Sequence, residues 1–151
     1  MVTDVASNRS SNPVTSDPGP RTFDAPRERP APTQLTGHWA NGDDANLKLT
    51  ALSLLVVIKA NCDGCRDFLF SDLDEFTGVD VIFVSANDDE SGEWVDAPRP
   101  VLISPEALTV LEVKWPPFYV LVDPNAGLVR TEGVLFGPAQ VAAEIAPFLV
   151  H

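Results

Sequence analysis

Cysteine, histidine and methionine are scarce in this chain of 151 residues, with two, two and one respectively. The histidines are His38 and the terminal His151; the cysteines, Cys62 and Cys65, are separated by two residues. A structural zinc ion takes about four protein ligands, so this inventory argues against one. Basic residues are also few. Ten Lys and Arg stand against twenty-two Asp and Glu, for a formal net charge of −12. Such a surface repels nucleic acid and anionic lipid; it suits solubility or a basic protein partner. Long apolar runs are missing. The longest, "ALSLLVVI" at 51–58, is far short of the roughly 20 residues that span a bilayer as a helix. The first 30 residues lack the basic start and apolar core of a signal peptide. The sequence therefore predicts a soluble, cytoplasmic protein without membrane insertion. In that compartment thiols are kept reduced, and a close cysteine pair is more often catalytic or metal-binding than structural.

Proline is plentiful, and its distribution divides the chain. Six of the fourteen prolines fall in residues 1–34, among Ser, Thr, Asn and Asp, with Phe23 as the lone aromatic residue there. Such a segment cannot bury enough apolar area to offset its ordering entropy. It reads as a disordered, dispensable tail over 1–34, followed by one domain over 35–151. Residues 1–36 hold equal numbers of acids and bases, so the whole net charge resides in the following 115 residues.

From Leu35 the chain alternates between two periodicities. "LTGHWANGD" leads through a loop or short hairpin at Asn41-Gly42. "LSLLVVIKA" (52–60) is an almost continuous β-branched run, which suits a strand buried on both faces. Phe68, Leu69, Leu73 and Phe76 then recur at helical spacing, and Gly78 stops that helix. "VDVIFVSA" (79–86) is a second buried strand, and 87–100 reads as an acidic, exposed loop. In "VLISPEALTVLEV" (101–113) a short strand precedes a helix capped by Ser104 with Pro105 first. "PFYVLVD" (117–123) and "LVRTEG" (128–133) form an antiparallel pair across the turn "PNAG". A closing helix spans 137–150, with Pro147 in its last turn. The order implies an α/β fold, a mixed sheet with helices on both faces.

This reading places Cys62 between a buried strand and a helix N-terminus. There, free backbone N–H groups and the helix dipole stabilise a thiolate, the form that attacks disulfides. Cys65 returns over the same turn and can resolve the mixed disulfide. Cys62 is thus the candidate nucleophile and Cys65 the resolving thiol. The residues alone leave three possibilities for the pair: a redox dithiol, half of a metal site, or two thiols placed together by chance.

The stretch "LLVVIKANCDGCRDF", the proline before a strand in "KWPPFYVLVD", and the hairpin "NAGLVRTEG" resemble the thioredoxin family. The likeness is to its thiol:disulfide reductase-like branch, over about residues 47–150. It implies a thioredoxin-like mixed sheet flanked by helices, a redox-active Cys62-x-x-Cys65 pair and no cofactor. The substrate would be a protein disulfide, with a separate electron donor that re-reduces the dithiol. The resemblance further implies that Pro117 is a cis-proline beside the dithiol and that Pro116 offers backbone to the substrate. Pro116 has no N–H, so docking leans on side chains such as Trp115. Three positions depart from the family pattern. Asn61 replaces the aromatic residue before the first cysteine, Val56 replaces the strand acid, and Asp63-Gly64 replaces Gly-Pro. Two other functions remain: a non-enzymatic thioredoxin-like binding module with a vestigial dithiol, and a peroxiredoxin-type peroxidase.

Overall fold

The computed structural model describes residues 29–86 and 94–149. Eight strands form one sheet: β1 (Arg29–Pro30), β2 (Gln34–Trp39), β3 (Asp44–Lys48), β4 (Ser53–Ile58), β5 (Asp80–Ser85), β6 (Val101–Ile103), β7 (Phe118–Asp123) and β8 (Leu128–Val134). Among the described residues, three α-helices pack on it: α1 (Asp63–Phe70), α2 (Pro105–Leu111) and α3 (Pro138–Leu149). The strand order is β1-β8-β7-β4-β5-β6-β2-β3. β4, β5 and β6 run parallel, while β7 pairs antiparallel with β4 and β8 with β7. The sheet is therefore mixed, as the alternating periodicities imply.

β4 is central, and all six of its residues are buried. Its side chains alternate between two cores, as strand geometry requires. Leu54, Val56 and Ile58 join α1 and α3 on one face; Leu55 and Val57 join α2 on the other. Full burial of each such side chain contributes about 1.5–3 kcal/mol. The uninterrupted apolar run is explained by helices on both faces.

α2 starts as its sequence indicates. Ser104 Oγ accepts the Ala107 N–H at 3.0 Å, and Pro105 occupies the first helical position. α1 is shorter than the apolar spacing suggested. At Ser71 both the backbone N–H and the hydroxyl donate to the Phe68 carbonyl, and Ser71 itself is extended, with ψ 167°. The helix ends there, and a 3₁₀ turn at Asp74–Phe76 follows. Leu73 and Phe76 still pack in the α1 core, but by a bent path. The apolar positions were informative about burial and misleading about continuity.

Two further expectations change. The stretch 87–100 does not read out as one exposed loop: Trp94 is buried in the α1 core, because an indole gains more from burial than its acidic neighbours oppose. Residues 87–93 lie outside the described residues. The boundary at 34/35 is also too late. Arg29 and Pro30 pair with Val129 and Leu128, and the Ala31 N–H donates to the Gly127 carbonyl at 3.0 Å. Proline density hid a short edge strand, a position where proline is tolerated. The part of the expected tail over 1–28 lies outside the described residues.

Candidate active site

Three chain segments meet at one end of the sheet. The first is the turn from β4 into α1. Cys62 is the N-cap of α1, with extended backbone (φ −127°, ψ 107°), and its Sγ accepts the Cys65 N–H at 3.2 Å. Cys62 and Cys65 form a disulfide with Cα atoms 5.2 Å apart, within the usual range. Their environments differ. Cys65 is fully buried against Ile58 and the α1 core; Cys62 is half-buried. Just before it, Asn61 adopts the left-handed region (φ 58°), which asparagine tolerates better than most residues.

The second segment is Trp115–Pro117, leading into β7. The Pro116–Pro117 peptide bond is cis. Trp115 is 82% exposed, an unusual state for an indole on a small domain. The third segment, Val134–Gly137, connects β8 to α3. The Leu135 N–H donates to the Pro117 carbonyl at 3.3 Å, joining the second segment to the third. Gly64 joins the third to the first. A Cβ on Gly64 would lie 2.4 Å from the Phe136 carbonyl oxygen. The glycine between the cysteines therefore lets the backbone of the β8–α3 loop press against the dithiol turn.

Gln140 fixes that loop. Its Oε1 accepts the Phe136 N–H at 2.8 Å and the Gly137 N–H at 3.3 Å, and its Nε2 donates to the Val134 carbonyl at 2.9 Å. This is the third-position glutamine of a helix start reaching back to the N-cap. Phe136, on the clamped loop, is 75% exposed. Phe136 thus stands on the loop that presses on the dithiol turn, and Trp115 on the segment bonded to that loop through Pro117 and Leu135.

No family model and no curated protein matches the chain. Solved structures do. One, assigned to a thiol:disulfide interchange protein DsbE from Chlorobium tepidum, is 21% identical with a TM-score of 0.62, covering 82% of this chain and 97% of that one. The thioredoxin domain of a thiol-disulfide oxidoreductase from Bacteroides vulgatus is 17% identical with a TM-score of 0.59, covering 81% and 96%. A mitochondrial 2-Cys peroxiredoxin from Plasmodium falciparum is 15% identical with a TM-score of 0.60, covering 80% and 92%. The fold is thioredoxin-like.

Within the thioredoxin-like frame, the structure gathers Cys62, Cys65 and the Trp115–Pro117 segment around one loop. Val56, at the strand position of the family acid, is fully buried in the same apolar core as Cys65. Its partner on β7 is Tyr119, whose hydroxyl donates to Glu144. Burial, followed by that hydrogen bond, pushes the Tyr119 phenol above its ordinary value. Tyr119 is thus neutral at physiological pH. Among the described residues no cluster of three or more potential metal ligands occurs.

Two residues of the site escaped the sequence reading, Phe136 and Gln140. A signal was present in "FGPAQ": Gly137, then Pro138 at the first helical position, then a glutamine at the third. It marked a capped helix start but not the loop's approach to Gly64. Gln140→Ala removes three hydrogen bonds. It is expected to lower stability by roughly 1–3 kcal/mol, at about 1 kcal/mol per bond. Chemical denaturation of the variant checks this.

Proposed function

We propose that the protein is a thiol–disulfide oxidoreductase that reduces protein disulfides through Cys62 and Cys65. The observation behind this reading is the asymmetry of the pair: a half-buried cysteine at a helix N-terminus, backed by a fully buried one three residues on. In the reduced protein the amide of Cys65 and the dipole of α1 stabilise negative charge on Cys62. The Cys62 thiolate attacks one sulfur of the substrate disulfide. A Cys62–substrate disulfide forms and the other substrate sulfur leaves as a thiolate. Cys65 then loses its proton, which passes to the departing thiolate or to water. Its sulfur attacks Cys62 Sγ, the Cys62–Cys65 disulfide closes, and the second substrate sulfur leaves as a thiolate; protons from water complete the substrate dithiol. Two electrons have moved from protein to substrate, and an external thiol donor must return them.

The exposed faces of Trp115 and Phe136 suit an extended polypeptide lying across the dithiol. Its acidic surface favours basic partners. A cytoplasmic setting, where a thiol donor keeps the pair reduced, fits a reductase.

The test is reduction of a peptide disulfide with dithiothreitol in limiting amount. Wild type is expected to accelerate it, and Cys62→Ser to return the rate to background. Equal rates with and without the protein would overturn the proposal. Consumption of hydrogen peroxide instead would favour the peroxidase.

A further inference from the structure

A largely buried ion pair lies outside the dithiol site. Arg29, on β1, grips Glu132 on β8 with two hydrogen bonds, Nη2 to Oε1 at 2.7 Å and Nε to Oε2 at 3.2 Å. The Glu132 side chain is 4% exposed. Nη2 also donates to the carbonyl of Leu111, the last residue of α2. Nη1 lies 3.6 Å from Glu112 Oε2, beyond hydrogen-bond length. Glu112 is the C-cap of α2 and takes a left-handed conformation (φ 61°). A cation at this place answers the unpaired carbonyls and the negative end of the helix dipole.

The chain direction gives these contacts their consequence. From Glu112 it passes through Val113 and Lys114 into Trp115–Pro117. From Glu132 it passes through Gly133 into the Val134–Gly137 loop. One guanidinium therefore holds the root of both segments, the loop packed on Gly64 and the Trp115–Pro117 segment bonded to it. We propose that Arg29 is a positioning residue for the dithiol site, setting the spacing of the Trp115 and Phe136 loops and so the docking of an extended peptide, while leaving the chemistry at sulfur untouched. This rests on the oxidoreductase reading above. It also makes the N-terminal segment part of substrate recognition: whatever draws β1 off β8 loosens both loops together.

The test uses the full chain and two substrates, a peptide disulfide with several residues on each side of the cysteine and the small disulfide 5,5′-dithiobis(2-nitrobenzoate). Arg29→Met combined with Glu132→Leu removes both charges of the pair together, and such replacements commonly preserve folding. The expected result is a KM for the peptide raised roughly 2- to 30-fold, the range by which packed networks modulate coupling. The kcat for the peptide and the rate with the small disulfide should stay within about two-fold. Arg29→Lys keeps the charge opposite Glu132 but not the two-pronged grip. It should move KM in the same direction by a smaller factor. An unchanged peptide KM in both variants would overturn the proposal, as would an equal loss on both substrates. Wild type that reduces neither substrate would overturn the oxidoreductase reading, and this inference with it.

Discussion

A chain beginning at Leu35 should unfold roughly 10–20 °C below one beginning at Glu28. The difference between the two is β1 and its neighbours. Removing them deletes the Arg29–Glu132 pair, the Ala31 to Gly127 backbone bond, and the Thr33 carbonyl that accepts the Leu49 N–H at 2.8 Å. The first loss dominates. In the intact fold Glu132 is 4% exposed, and breaking such a pair typically costs about 3–5 kcal/mol. For a domain of this size each kcal/mol lowers the midpoint by several degrees. The guanidinium is itself held above its usual value, first by the hydrogen bond to Glu132, against the opposing effect of burial. Calorimetry of the two chains decides the matter. A difference below about 3 °C would show that the pair adds nothing net, which is common for exposed pairs and rare for broken buried ones.

Gly64→Ala should damage the dithiol site more than its single methyl suggests. The added Cβ would come within 2.4 Å of the Phe136 carbonyl oxygen and 3.0 Å of its carbonyl carbon. Both are backbone atoms on a loop clamped by Gln140, so neither can swing aside as a side-chain tip would. Either the loop or the dithiol turn must shift. Overpacking of this kind costs about 1–3 kcal/mol. Misplacement of reacting groups by an ångström can lower a rate by roughly 100-fold. A fall in kcat/KM of about 10- to 100-fold is therefore expected. Gly64→Pro, which would restore the proline of the common family motif, meets the same obstacle. Its missing N–H is no loss at the second position of α1. The clash also predicts coupling. In the background of Gln140→Ala the loop is free to yield, so Gly64→Ala should cost less there than in wild type. A double-mutant cycle on stability and rate measures this. Strict additivity would mean that the loop moves without hindrance from Gln140.

What could be seen in the sequence follows from range. The dithiol was legible because strand, cap and helix lie within one short stretch, and each leaves a local mark: β-branched residues in β4, then Cys62, then the apolar pair Phe68 and Leu69. Ser104 and Pro105 announced α2 for the same reason. The hairpin of β7 and β8 is local too. The Arg29–Glu132 pair was hidden. Its partners lie 103 positions apart, and Arg29 sits in a proline-rich stretch whose composition says tail. Phe136 was hidden differently. An exposed aromatic residue outside a helix or strand has no periodicity to betray it, and its meaning comes from Gly64, 72 positions earlier. The end of α1 was misread because Leu73 and Phe76 do face the core. Burial spacing alone cannot show that Ser71 has turned the chain out of the helix.

In the proposed cycle Cys62 attacks and Cys65 resolves. The most direct measurement is intact mass spectrometry of reduced Cys65→Ser and reduced Cys62→Ser, each mixed with the same peptide disulfide. Cys65→Ser should accumulate a one-to-one adduct, mapped to Cys62 and released by dithiothreitol, while Cys62→Ser stays unmodified over the same time. An adduct forming faster on Cys65 in Cys62→Ser, or no adduct on either variant, would contradict that cycle.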